Sequence, residues 1–112
     1  MAAVAEVTKE NFAEQTGEGT VLIDVWGPQC APCLALNPHV EKLAESHPEI
    51  KVLKLEAPKN RRLCIDLRVM GLPHFLLFRD GEELDRLGGD VTMSELRKWV
   101  DETLAEVSTG KE

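Results

Sequence analysis

The sequence predicts an α/β fold, a central mixed sheet of about five strands flanked by helices on both faces. Three observations carry that reading. Two apolar runs of strand character, residues 21–26 and 50–55, are separated by a helically spaced stretch over residues 33–46, which makes a strand, helix, strand unit of right-handed crossover type. Asp80-Gly81 divides two further strand-like runs, residues 75–78 and 83–87, as a hairpin turn does. An amphipathic helix over residues 92–107 closes the chain.

Each element has its own warrant. Thr8 reads as the N-cap of a short helix over residues 8–15, with Phe12 as its core anchor. Residues 21–26 are apolar throughout except Asp24, which predicts a strand covered on both faces. In the helix that follows, Leu36, Val40 and Leu43 recur at four and three residues, and Pro38 is expected to kink it by removing a backbone donor. Ile50, Val52, Leu53 and Leu55 stand among Lys51 and Lys54 in the second buried strand. A weaker helix over residues 60–67 centres on Leu63, Cys64 and Leu67. In the last helix Met93, Leu96, Val100, Leu104 and Val107 share one stripe, and Thr92 with Glu95 forms a capping box. One domain over residues 1–107 is expected, with a frayed tail at 108–112.

The 112 residues carry 13 Lys and Arg against 20 Asp and Glu, a formal net charge of −7, and 43% of them are hydrophobic. These proportions belong to a globular chain. An acidic chain without a basic cluster is not suited to nucleic acid or to an acidic membrane, both of which need Lys and Arg concentrated on one face. Neither a signal-peptide run nor a window of roughly 18 uncharged apolar residues occurs, so a cytoplasmic location is expected. Three cysteines are an odd number in a chain that can build a core without staples, so a chemical role is expected for them.

Cys30-Ala31-Pro32-Cys33 lies where the strand ending at Trp26 hands over to a helix. Two intervening residues let the sulfurs meet across the first helical turn. Pro32 costs nothing there, because its missing N–H would have been unpaired. A helix N-terminus favours an anion by up to about 2 kcal/mol. Cys30 is therefore expected to be the more available thiolate, and Cys33, deeper in the helix, to act second. Asp24 is expensive to bury ionised, so its pKa should be raised.

Taken together these residues resemble the thioredoxin family. The resemblance rests on the cysteine pair with Pro32, Phe12, Asp24 and Trp26 ahead of Cys30, Pro38 after Cys33, Lys54, Gly71-Leu72-Pro73 before Phe75, Asp80-Gly81 and Gly89. It runs from about residue 7 to residue 104 and implies the thioredoxin fold. It further implies a protein-disulfide reductase in which Cys30 attacks, Cys33 resolves and the two cycle between dithiol and disulfide. Pro73 would be a cis-proline facing the cysteines, with the Leu72 backbone offering a strand-like edge to substrate. Asp24 and Lys54 would be a buried pair beneath Cys33, Asp24 serving as its base. Trp26, Ala31, Pro32, Leu72, Pro73 and Gly89 would surround the substrate. No cofactor or metal is implied. The implied partners are protein disulfides and a thioredoxin reductase, flavoprotein or ferredoxin-linked, acting on a monomer.

The stretch around the cysteines departs from the commonest family form at Gln29, Ala31 and Leu34. Leu34 stands where a basic residue is usual, which removes a cation that would lower the Cys30 pKa. Such a change keeps open a partner-specific or isomerase-like oxidoreductase, and beside it a non-catalytic binding module of the same fold. Structural zinc would need Cys30 and Cys33 joined by ligands such as His39, Cys64 or His74, but no second close pair exists. Cys64 reads as a small buried hydrophobe rather than a regulatory thiol. His74 reads as a strand residue, with a pH-sensitive contact near the site as the other reading. Lys54 has the alternative of an ordinary strand lysine like Lys51. Gly89 is read as a close backbone approach near the site, or with Gly88 as a turn. Residues 25–40 and 69–78 hold no Asp, Glu, Lys or Arg, so a neutral docking face with weak salt dependence is expected.

Overall fold

A computed structural model describes residues 4–109 of the chain. Its sheet has five strands: β1 (Ala5–Glu6), β2 (Thr20–Trp26), β3 (Ile50–Glu56), β4 (His74–Arg79) and β5 (Glu82–Gly88). They lie in the order β1-β3-β2-β4-β5. Strands β1, β3 and β2 run parallel, and β4 and β5 continue the sheet antiparallel. Four helices complete the fold: α1 (Phe12–Thr16), α2 (Ala31–Ser46), α3 (Arg61–Asp66) and α4 (Met93–Thr109), with a 3₁₀ turn at Ala57–Lys59.

Alternation along the central strands divides the core into two layers. Leu22, Val52, Phe75 and Leu77 point to one face, where Leu36, Val40 and Leu43 of α2 and Leu96 and Val100 of α4 cover them. Ile23, Val25, Leu53, Leu55 and Leu76 point to the other, under Leu63 and Cys64 of α3 and Phe12 of α1. Burying each such side chain contributes about 1.5–3 kcal/mol. Because β2 is the middle strand and is covered on both sides, its lone carboxylate, Asp24, is buried with it.

Several boundaries differ from the sequence expectation, each for a local reason. Residues 8–11 form a turn instead of the first turn of a helix, because Asn11 Oδ1 accepts from the Thr8 backbone N–H at 2.8 Å. Thr8 is therefore not a cap, and α1 begins at Phe12. Strand β1 has only two residues, both exposed, and carries no pattern that a sequence reading could use. Helix α2 begins two residues earlier than expected, at Ala31, because Cys30 occupies the capping position. Pro38 lies inside α2.

The capping box is formed as expected. Thr92 N–H donates to Glu95 Oε1 at 3.0 Å and Glu95 N–H to Thr92 Oγ1 at 3.1 Å. Helix α4 runs through Thr109, so part of the expected tail is helical and residues 110–112 lie outside the described residues. At the hairpin Asp80 and Gly81 both have positive φ, 51° and 88°, the backbone of a type I′ turn. Among the described residues no helix is long and apolar enough to cross a membrane.

Candidate active site

Strand β2 delivers the chain to the site. After Trp26 the backbone turns at Gly27, whose carbonyl accepts from the Cys30 N–H at 3.1 Å, and α2 starts one residue later. Gly27 is a packing requirement: a Cβ there would stand 3.2 Å from Leu72 Cδ1 and 3.7 Å from Pro58 Cδ. The 3₁₀ turn, the β2–α2 turn and the loop before β4 thus meet at this one glycine.

Cys30 and Cys33 are joined as a disulfide with Cα atoms 5.2 Å apart. The Cys30 sulfur caps α2, accepting from the Cys33 N–H at 3.2 Å. A sulfur in that position is where the partial positive charge of the helix N-terminus acts on a thiolate. Accessibility separates the two cysteines: Cys30 is half-buried, whereas Cys33 is 2% exposed. Ala31, Pro32 and Leu34 are exposed around them. In the loop before β4 the Leu72–Pro73 bond is cis, Leu72 is half-buried and Pro73 is buried.

Asp24 and Lys54 are cross-strand partners on β2 and β3, on the face covered by α2. Burial pushes the Asp24 carboxyl up to about 7, and the Lys54 charge acts in the opposite direction more weakly. The buried pair expected from the sequence is only half present. Asp24 is buried, but Lys54 is half-buried and turns its ammonium onto the Trp26 ring, 4.3 Å from the centroid. The indole N–H of Trp26 is buried without a hydrogen-bond partner.

Three other singled-out residues have surroundings of their own. His74 pairs in register with Val25, so its ring points to the face opposite Asp24. There it packs on Gly88, where a Cβ would stand 2.6 Å from the ring. Burial first, and then the Arg86 charge, hold its pKa below the usual histidine value. Cys64 is a free buried thiol in the second core layer, its pKa raised by burial. Gly89 has φ +92°, and a Cβ there would meet nothing within 4 Å, so within the chain it serves backbone conformation. Within the chain, the glycine that meets a neighbour closely is Gly88. Gly27, Pro58 and the contact of Gly88 with His74 have no signal in the sequence, because only contacts between distant segments reveal them. Among the described residues no three His, Cys, Asp or Glu gather to hold a metal.

A disulfide capping a helix that follows a central strand with a buried carboxylate, with a cis X-Pro loop packed on the turn between strand and helix, can exchange electrons with another disulfide. Comparison with known proteins decides the family: the thioredoxin model matches residues 3–102. The chain belongs to the thioredoxin family. It is 36% identical over 85 residues to thioredoxin of Acetoanaerobium sticklandii, covering 73% of this chain and 81% of the relative. It is 31% identical over 103 residues to thioredoxin of Bacillus subtilis, covering 91% and 99%. Among solved structures, Malassezia sympodialis thioredoxin superposes with a TM-score of 0.84 at 21% identity, over 92% of each chain, which agrees with the thioredoxin fold. As a thioredoxin-family protein with its C-x-x-C pair in place, the chain is a thiol-disulfide reductase, acting on protein disulfides and re-reduced by a reductase.

Proposed function

We propose that Cys30 is the attacking thiol and Cys33 the resolving thiol of a protein-disulfide reductase. The observation that carries this assignment is their unequal access at the head of α2: a partner's sulfur can reach half-buried Cys30, while Cys33 is 2% exposed. In the reduced protein the Cys30 thiolate attacks one sulfur of the substrate disulfide, and the other leaves as a thiolate. The Cys33 thiol gives its proton to the Asp24 carboxylate, and the Cys33 thiolate attacks Cys30 Sγ. The second substrate thiolate departs and the Cys30–Cys33 disulfide forms, so two electrons pass to the substrate. A carboxyl near pH 7 suits a base that is half ionised at neutral pH. Lys54 contributes by holding that pKa down from where burial alone would place it.

Trp26, Ala31, Pro32, Leu72, Pro73 and Gly89 form the substrate surface in this reading, with no metal or organic cofactor. The protein works as a cytoplasmic monomer with a single domain in this reading. A thioredoxin reductase, flavoprotein or ferredoxin-linked, restores the dithiol.

The test is trapping. Cys33→Ser is expected to accumulate mixed disulfides through Cys30, and Cys30→Ser to lose disulfide-reducing activity; full activity of Cys30→Ser contradicts the assignment. Many captured proteins mark a general reductase, whereas one or two mark a dedicated or isomerase-like oxidoreductase. Failure to accelerate reduction of a protein disulfide by dithiothreitol would mark a binding module.

A further inference from the structure

We propose that Arg86, on β5, is a positioning residue that holds the substrate-docking loop, residues 67–72, in its working shape. The argument starts at the C-terminus of α3. That helix ends in a Schellman motif, with Val69 N–H donating to Cys64 O at 2.9 Å and Arg68 N–H to Ile65 O at 3.0 Å. The residue at the left-handed position, φ 60°, is Arg68, where glycine is the usual occupant. The motif satisfies the carbonyls of Cys64 and Ile65; it does not reach the carbonyl of Leu67, the C-cap at the negative end of the helix, or that of Arg68, one residue past the helix.

Arg86 supplies both missing donors. Its Nη2 donates to Leu67 O at 2.8 Å and its Nη1 to Arg68 O at 3.0 Å. The guanidinium is itself held by Glu83 on the same strand, with Nε to Oε2 at 2.6 Å and Nη2 to Oε1 at 2.9 Å. Strand β5 therefore grips the start of a loop that ends, within five residues, at Leu72 and cis-Pro73. At that far end Leu72 packs on Gly27, three residues before Cys30. One end of the loop is tied by charge-assisted hydrogen bonds and the other by packing, with exposed Met70 and Gly71 between. A planar fork with parallel donors suits two neighbouring carbonyls, which a lysine ammonium does not match.

This inference rests on the proposed docking role of Leu72 and Pro73, so the experiment separates the two. For Arg86→Ala the KM for insulin disulfides is expected to rise about tenfold, equivalent to about 1.4 kcal/mol. The rate at which dithiothreitol reduces the variant's own Cys30–Cys33 disulfide should stay within about twofold, because a small thiol needs no docking loop. Arg86→Lys should recover only part of the KM, and amide exchange should quicken at Met70, Gly71 and Leu72 without quickening in β2 or β4. If Arg86→Ala folds poorly, Arg86→Lys carries the same test, with a KM increase of about threefold.

An unchanged KM, or a KM effect matched by an equal loss in the dithiothreitol reaction, overturns the proposal. Leu72→Lys is the control. If it raises KM while the Arg86 variants do not, Arg86 positioning alone is wrong; if neither raises KM, the docking role falls and the proposal with it.

Discussion

The ammonium of Lys54 lies over the Trp26 ring, 4.3 Å from its centre, although Lys54 is the cross-strand partner of Asp24. A cation over an indole gains about 0.5–1 kcal/mol at a partly exposed site. The charge stays close enough to Asp24 to lower its pKa, but burial outweighs it and the carboxyl reaches about 7. A direct ion pair with a cation lowers a carboxylate by about 1–3 units and would have removed most of that shift. The orientation of one lysine thus keeps a buried acid titrating in the physiological range.

Stability of the oxidised protein is expected to fall as pH rises from about 4 to about 7. In that window folded Asp24 keeps a proton that the unfolded chain has released, so the unfolded state binds fewer protons and the slope is negative. The shift from 3.8 to about 7 corresponds to up to about 4 kcal/mol. Asp24→Asn should flatten the curve and be the more stable protein at pH 8. Urea unfolding across this range checks it; parallel curves for the two proteins would refute the argument.

Replacing Lys54 by Met removes the charge that lowers the Asp24 pKa. The Asp24 titration should then move above about 7, as followed by carboxyl carbon NMR of labelled aspartate. A downward movement would show that Lys54 acts on Asp24 through packing rather than charge.

Gly88→Ala should destabilise the fold by about 1–3 kcal/mol, because the new methyl would stand 2.6 Å from the His74 ring. His74→Ala in the same chain should recover most of the loss. A double-mutant cycle in urea with a coupling energy near zero would show that the ring moves aside without cost.

Arg68→Gly is expected to stabilise the protein by about 1 kcal/mol, since a non-glycine residue at φ 60° gives up about that much. Its backbone carbonyl, and hence the bond from Arg86, is unaffected. Thermal unfolding should show a midpoint about 4 °C higher; a lower midpoint would mean that the exposed Arg68 side chain contributes more than its backbone costs.

Local pattern was enough to place β2 to β5, α2 and α4, because strand alternation, helical spacing, the Asp80-Gly81 turn and the Thr92/Glu95 capping box are each written within a few neighbouring residues. It was enough, too, to single out Asp24, since a carboxylate inside a fully apolar strand has few ways to reach water, and to place Cys30 at the head of a helix. Strand β1 escaped because two exposed residues become a strand only when β3 supplies their partners.

The same division runs through the site. Chain order alone identifies the cysteine pair and the strand carboxylate, since each declares itself by its immediate surroundings, whereas the proline before β4 stands out only through the family resemblance. It does not say that Lys54 lies on Trp26, that Gly88 rather than Gly89 meets a neighbour, or that Arg86 reaches back 18 residues to the carbonyl of Arg68. Those arrangements depend on which side chains of separate strands and loops come within a few ångströms once the sheet has formed. Short-range van der Waals contact and hydrogen bonding settle them, and neither leaves a periodic trace along the chain.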